Sequence, residues 1–273
     1  MRIGSCSAIS DWKNIAEIGY DYIETSFSNI ARMTNEEFEN AKALLAETGL
    51  KVEACNGFFY SKFVLYAYDP ATGEATEEFE NIKKEVYEYV NRGFSRVAQL
   101  GTKVVIIGSG TARNVPDDIK PEVARAQLKS VLKICGDVAA EYGIAVTVEP
   151  LNPSESNTIN TLSDSLDLID EMNHPNILAM NDFYHSIMQN EPLSTLDRAG
   201  KRLVHIHICR ADRYSCTLAD KDDLMPYVQH LADMGYDARL SFEGKSANDD
   251  RAQALRDTYE LMKLFRDVKP TKS

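Results

Sequence analysis

Four short apolar runs in this 273-residue chain each end on a side chain that can bind a metal or move a proton. Ala145–Val148 runs into Glu149, Ile177–Asn181 into Asp182, Leu203–Ile206 into His207, and Arg239–Phe242 into Glu243. Strand termini that open into loops are where α/β folds carry their chemistry. Two glutamates, an aspartate and a histidine make a mixed oxygen/nitrogen donor set. Such a set suits Mn²⁺ or Zn²⁺, and also Co²⁺ or Mg²⁺, and leaves coordination positions open for substrate oxygens.

Further residues gather round these four. His205 and His207 are two apart on one strand, so both face the same way. If His207 is a ligand, His205 lies one layer deeper, as a polar core or supporting residue. Asp182 and His185 are three apart just past a strand, a spacing that lets one turn bring both to a pocket. Arg213, six residues after His207, either reaches a substrate oxygen or pairs on the surface. Glu155, in the Pro/Asn/Ser-rich loop after Glu149, either orients a ligand or the substrate or is simply solvated.

Short strands alternating with amphipathic helices position these residues. Strands are predicted over 2–5, 20–24, 51–55, 103–108, 145–149, 177–182, 203–209 and 239–242. Helices are predicted over 11–19, 35–48, 76–100 with a break near Gly93, 121–142, 162–172, 192–201, 224–234 and 249–265. Lys103–Gly108 has no polar alternation, as expected of a parallel strand covered on both faces. Leu128, Val131, Leu132, Cys135, Val138 and Ala139 form a helical stripe in steps of three and four. Eight strand–helix units without a composition break predict one α/β domain over residues 1–273, a closed (β/α)₈ barrel. The competing architecture is an open doubly wound sheet, but no Gly-x-Gly-x-x-Gly follows the first strand to support a dinucleotide fold.

Composition narrows the class. The net charge of −12 argues against nucleic acid or an anionic membrane, which want clustered Lys and Arg. Cys6, Cys55, Cys135, Cys209 and Cys216 are odd in number and lack CxxC spacing, so free thiols in a reducing compartment are expected. The first residues carry no apolar run of signal-peptide length, and no segment approaches the roughly 20 apolar residues of a membrane span. A cytoplasmic protein is expected, with subunit number open, homo-oligomers included. The aromatic segment Phe58–Tyr60 reads as a lid, a subunit contact or a satellite core.

These motifs resemble the xylose isomerase-like TIM barrel superfamily, most closely its ketose 3-epimerase branch. The matching residues are Glu149-Pro150-Leu151-Asn152 with Glu155, Asp182-Phe183-Tyr184-His185, His205-Ile206-His207 with Arg213, and Glu243. The resemblance implies that Glu149, Asp182, His207 and Glu243 hold one divalent metal, and that Glu155, His185 and Arg213 bind a sugar or sugar-like substrate. Endonuclease IV is similar in its later strands, but its three-zinc cluster needs histidines at positions where this chain has Ala54-Cys55-Asn56-Gly57 and Ile107-Gly108-Ser109-Gly110. The last strand departs from the epimerases in reading Glu243-Gly244-Lys245, where they usually place Pro after the Glu. Lys245, with Arg210, would favour an acidic substrate.

The implied reaction is proton transfer beside a ketone, with Glu149 and Glu243 as base and acid on opposite sides of the sugar. Two faces addressed by two glutamates give an epimer, most simply at C3 of a ketose or sugar derivative. One group shuttling the proton gives an aldose–ketose isomer. The alternatives are a hydroxypyruvate- or inosose-type isomerase or dehydratase on the same residues, and a non-catalytic sugar-binding barrel.

Overall fold

A computed structural model of the chain describes residues 1–246 and 250–271. Eight strands form one closed, all-parallel ring: β1 (Arg2–Cys6), β2 (Tyr22–Ser26), β3 (Val52–Asn56), β4 (Val104–Ile107), β5 (Ala145–Val148), β6 (Ile177–Asp182), β7 (Leu203–Ile208) and β8 (Arg239–Phe242). The ring closes where β1 pairs with β8 in the register Arg2↔Arg239 to Ser5↔Phe242. The open-sheet alternative is therefore excluded.

Helices wrap the ring: α1 (Trp12–Ile18), α2 (Phe27–Arg32), α3 (Asn35–Thr48), α4 (Phe79–Gln99), α5 (Gly110–Arg113), α6 (Pro121–Glu141), α7 (Leu162–Met172), α8 (Phe183–Met188), α9 (Ser194–Ala199), α10 (Lys221–Asp233) and α11 (Arg251–Arg266). Local chemistry sets several of their ends. Thr34 with Glu37 and Thr161 with Asp164 form capping boxes at α3 and α7, satisfying amides that the first helical turn leaves without partners. Gly49 closes α3 with a left-handed φ of 70°. The stripe predicted on the 121–142 segment is buried against the ring, Val131, Leu132 and Cys135 fully so.

Several boundaries differ from the sequence expectation. The break at Gly93 does not occur: α4 runs unbroken through it. A Cβ at Gly93 would lie 2.2 Å from the Phe27 ring, so the glycine serves helix packing. The 192–201 helix shortens to α9, and the helix predicted to begin at Asp249 has that residue outside the described ones, with α11 capped by Asp250. The short helices α2, α5 and α8, right after β2, β4 and β6, were not anticipated. Phe58 and Phe59 are buried with Phe27, Phe63 and Phe94 and pack on Tyr89, as part of the main hydrophobic core and not a satellite of it.

The lumen is layered. Tyr22, Ala54, Val104, Ile106 and Met180 form a small apolar cluster of their own, in which Met180 of β6 meets the neighbouring strands β2, β3 and β4. At its amino-terminal end Glu53 bonds Arg2 (2.7 Å) and Arg239 (3.0 Å). At its carboxyl-terminal end lie the residues singled out for chemistry.

Candidate metal centre

The strand ladders carry each of these residues into place. Glu149 follows β5, and its amide still donates to Ile107 O (3.1 Å), extending the sheet by one residue. Glu243 does the same past β8 through Ile208 O (3.1 Å). Asp182 and His207 are register partners on β6 and β7. Asp182 also caps α8, its Oδ1 accepting from the Tyr184 amide at 2.9 Å, which fixes the carboxylate and leaves Oδ2 to face the lumen cluster.

The four side chains converge. One donor atom from each of Glu149, Asp182, His207 and Glu243 lies within 4.8 Å of every other. His207 Nδ1 is 3.2 Å from Glu149 Oε1 and 3.3 Å from Glu243 Oε2, so the two glutamates flank the imidazole. Asp182 and His207 are fully buried and Glu149 nearly so.

His185 and Arg213 join them. Arg213, held in a left-handed conformation (φ 67°), forks between Asp182 Oδ2 (Nη1, 3.0 Å) and Glu243 Oε2 (Nη2, 2.9 Å) and lies 4.5 Å over the Tyr184 ring. The Lys245 amide donates to Arg213 O (2.8 Å) and pins this loop. His185 Nδ1 accepts from the Asn152 amide (3.0 Å) and lies 2.9 Å from its side-chain nitrogen. A backbone donor at Nδ1 fixes the proton of neutral His185 on Nε2, the atom that faces Arg213 at 3.2 Å and Asp182 at 3.7 Å.

Glu155 is not brought in. It is exposed on its loop, its Oε1 3.5 Å from the side-chain Nδ2 of Asn152. The cations expected to favour an acidic substrate are also placed elsewhere. Arg210 is engaged by Asp212 (2.8 Å) and lies 3.8 Å from Asp220, and the Lys245 side chain is exposed.

Electrostatics follow from burial and crowding. Burial, then the nearby Glu243 charge, holds Glu149 above the ordinary carboxylate range. Burial likewise raises Asp182, against the pull of Arg213. Burial also acts to raise Glu243, but His207 and Arg213 outweigh it and bring that carboxyl low. Burial opposes a charge on His207, yet Glu24 and Glu243 overcome it and raise its pKa. Burial and then Arg213 lower His185 to about 3, so it is neutral at physiological pH.

Sequence reasoning missed three neighbours. Glu24 at the end of β2 is fully buried and bonds both His205 and His207. Asn56, last in β3, donates to Glu243 Oε1 (2.7 Å). Asn152 braces His185, though it stood inside the quoted Glu149–Asn152 motif. Glu24 had a readable signal, an acidic residue ending an apolar run, the pattern that singled out Glu149, Asp182 and Glu243.

Residues 12–265 match the family described as xylose isomerase-like TIM barrel. The chain belongs to that family. It is 28% identical over 261 residues to the 3-dehydro-D-guloside 4-epimerase of Escherichia coli K12, covering 92% of each chain. It is 27% identical over 234 residues to the ketose 3-epimerase of Arthrobacter globiformis, covering 85% of this chain and 75% of the relative. A solved D-psicose 3-epimerase structure determined in the presence of D-fructose superposes with a TM-score of 0.81 at 16% identity, covering 97% and 98% of the two chains. The barrel likeness thus extends over nearly the whole fold. No helix among the described residues is long and apolar enough to cross a membrane.

Proposed function

We propose that the chain is a metal-dependent sugar epimerase whose metal is held by Glu149, Asp182, His207 and Glu243. The observation that carries this is the surplus of buried carboxylates. Three acids converge within 4.8 Å with one imidazole, and two of them, Asp182 and Glu243, share the single Arg213 guanidinium. Buried charges persist where they are paired or coordinate a metal, and this donor set fits a divalent ion of the Mn²⁺ or Zn²⁺ type, with Co²⁺ or Mg²⁺ also compatible.

When bound, the ion supplies Lewis acidity at a ketone oxygen and its neighbouring hydroxyl, which acidifies the C–H between them. The protein's own residues do the rest. Glu149 and Glu243 flank His207 from two sides, so one carboxylate oxygen takes the proton from one face of the carbon and the other glutamate returns a proton to the opposite face. Positioned proton transfer of this kind contributes about 10²–10⁴-fold. His185 presents a fixed Nε2–H to a substrate oxygen. Arg213, partly exposed between Asp182 and Glu243, donates to a substrate hydroxyl.

The reacting carbon is C3 if the substrate is a 2-ketose or its derivative. A second reading, the C4 carbon of a 3-keto sugar, is favoured by the even 92% coverage shared with the 4-epimerase. Both place the proton next to a ketone, so one experiment serves both. Ketoses and 3-keto sugars are incubated with the metal-loaded protein in D₂O, and deuterium is located by NMR. Incorporation at a single carbon beside the ketone is expected in the native protein and lost in Glu149→Gln and Glu243→Gln. Full exchange in Glu149→Gln would overturn the reading.

A further inference from the structure

Behind the candidate centre lies a carboxylate that the proposed chemistry does not use. Glu24 sits on β2 beside Cys6 of β1 and Ala54 of β3, its side chain wholly inside the lumen. Its two oxygens go to two different histidines. Oε1 is 2.8 Å from His207 Nε2, and Oε2 is 2.8 Å from His205 Nε2. The two rings are perpendicular, at 87°, with centroids 4.9 Å apart. His205 Nδ1 has no hydrogen-bond partner among the described residues.

An ionised carboxylate only accepts hydrogen bonds. Each Nε2 that meets Glu24 must therefore carry its proton. For His207 this leaves Nδ1 as the atom that meets Glu149 and Glu243, and it forbids the ring flip that would exchange the two nitrogens. Glu24 in turn cannot rotate, because His205 occupies its second oxygen. The order of the layers, His205 below and His207 above on one strand, lets a single carboxylate hold both.

We propose that Glu24 is the positioning residue of the metal centre: with His205 as its second anchor, it locks His207 with Nε2 protonated and Nδ1 aimed at Glu149, Asp182 and Glu243. This rests on the metal reading given above. A carboxylate behind a ligating imidazole fixes its tautomer and raises its donor strength, and loss of such a partner typically costs about 10–100-fold in metal affinity. Glu24→Gln keeps the shape but offers one acceptor where two are needed, so one histidine loses its anchor.

The experiment is a calorimetric Mn²⁺ titration of metal-stripped protein, native and Glu24→Gln, paired with ¹⁵N-histidine NMR of the native protein loaded with Zn²⁺. The expected result is one equivalent bound by both proteins, with affinity in Glu24→Gln lower by about 10–100-fold. In the native spectrum His207 Nε2 is expected to carry a proton while Nδ1 shows the metal-bound shift. The NMR result needs no variant, so it stands even if Glu24→Gln fails to fold. Equal affinities, or Zn²⁺ on His207 Nε2, would overturn the role of Glu24 while leaving the metal reading intact. Two equivalents in the native protein, the second lost in Glu24→Gln, would also overturn it, since Glu24 would then be a ligand of a second ion with His205. No metal bound by the native protein would overturn the metal reading itself and this inference with it.

Discussion

At the amino-terminal end of the lumen, one carboxylate is shared by two guanidiniums: Glu53 bonds Arg2 and Arg239. At the carboxyl-terminal end the ratio is reversed. Glu24, Glu149, Asp182 and Glu243 face one guanidinium, Arg213, and one imidazole with a raised pKa, His207. The first arrangement is self-sufficient, partly exposed and structural. The second is largely buried and short of positive charge among the described residues, even with Arg113 close enough to act on Glu149. Arg113 is fully buried and donates from Nη1 to Ile107 O, and its Nε and Nη2 find no partner among the described residues. The difference separates a plug from a site: both are polar clusters in one lumen, and only one has a charge balance that asks for a cation.

Gly108 tests the sharpest version of that contrast. A Cβ there would lie 2.2 Å from Glu149 Oε2, so Gly108→Ala pushes one glutamate out of the cluster without altering any charge. Misplacement of a reacting group by about 1 Å can cost on the order of 10²-fold. Turnover of Gly108→Ala, measured with the substrate found by deuterium exchange, is expected to fall by about that much. Native turnover would mean that the position of Glu149 is not critical, and the carboxyl-terminal cluster would lose its distinction from the plug.

A second test uses pH. Folded Glu149, Asp182 and His207 all have raised pKa values, so these groups keep protons to higher pH in the folded chain, whereas His185 and His205 are lowered and bind protons only in the unfolded chain until about pH 7, above which they are neutral in both states. Stability falls with pH wherever the folded state binds more protons. Glu24 and Glu243 are lowered, so they are ionised in both states above about pH 5 and add no slope there. Metal-free protein should therefore lose Tm as pH rises from about 7 to 8, where His185 and His205 no longer differ between the two states. Metal must displace those same protons, so the Tm gain from Mn²⁺ should widen over the same range. A gain that stays constant would show that these are not the groups that meet the ion.

The smallest effect is expected at the plug. Glu53→Gln should leave metal affinity and turnover unchanged and lower stability by about 1 kcal/mol or less, as for other partly exposed ion pairs, a drop of about 2–4 °C in Tm. A loss of metal binding in this variant would join the two ends into one electrostatic unit and break the comparison.

The quartet Glu149, Asp182, His207 and Glu243 was legible because it follows a rule of position. Each ends a buried strand, and in a closed parallel ring all such ends open on one face. His185 and Arg213 were legible from spacing to those anchors. Asn56 was not singled out, because its partner is 187 residues away across the lumen, where pairing depends on barrel register and not on a local pattern; Glu24 carried the strand-end signal, but its partner 183 residues away did not show in the sequence. Glu155 shows the opposite failure: its spacing from Glu149 places it on the right loop but does not fix which way an exposed side chain turns. Lys245 was read for its charge, while its backbone does the work of pinning Arg213. Gly93 was read as a breaker because sequence shows the missing Cβ but not the Phe27 ring that fills its place.

Ring closure between β1 and β8 also has a consequence in time. The four convergent residues lie at the carboxyl ends of β5, β6, β7 and β8, whereas Glu24 and Asn56 belong to β2 and β3. At about 5–20 residues per second, Glu243 leaves the ribosome roughly 10–40 s after the asparagine that will hold it. The braces are thus made first and wait, and the groups they hold arrive last. Until β8 docks on β1, the first-made half has no histidine to offer Glu24, and the last-made half has no fixed imidazole. The ion-binding geometry is therefore a property of the finished ring alone, and its appearance during refolding would time the final closure.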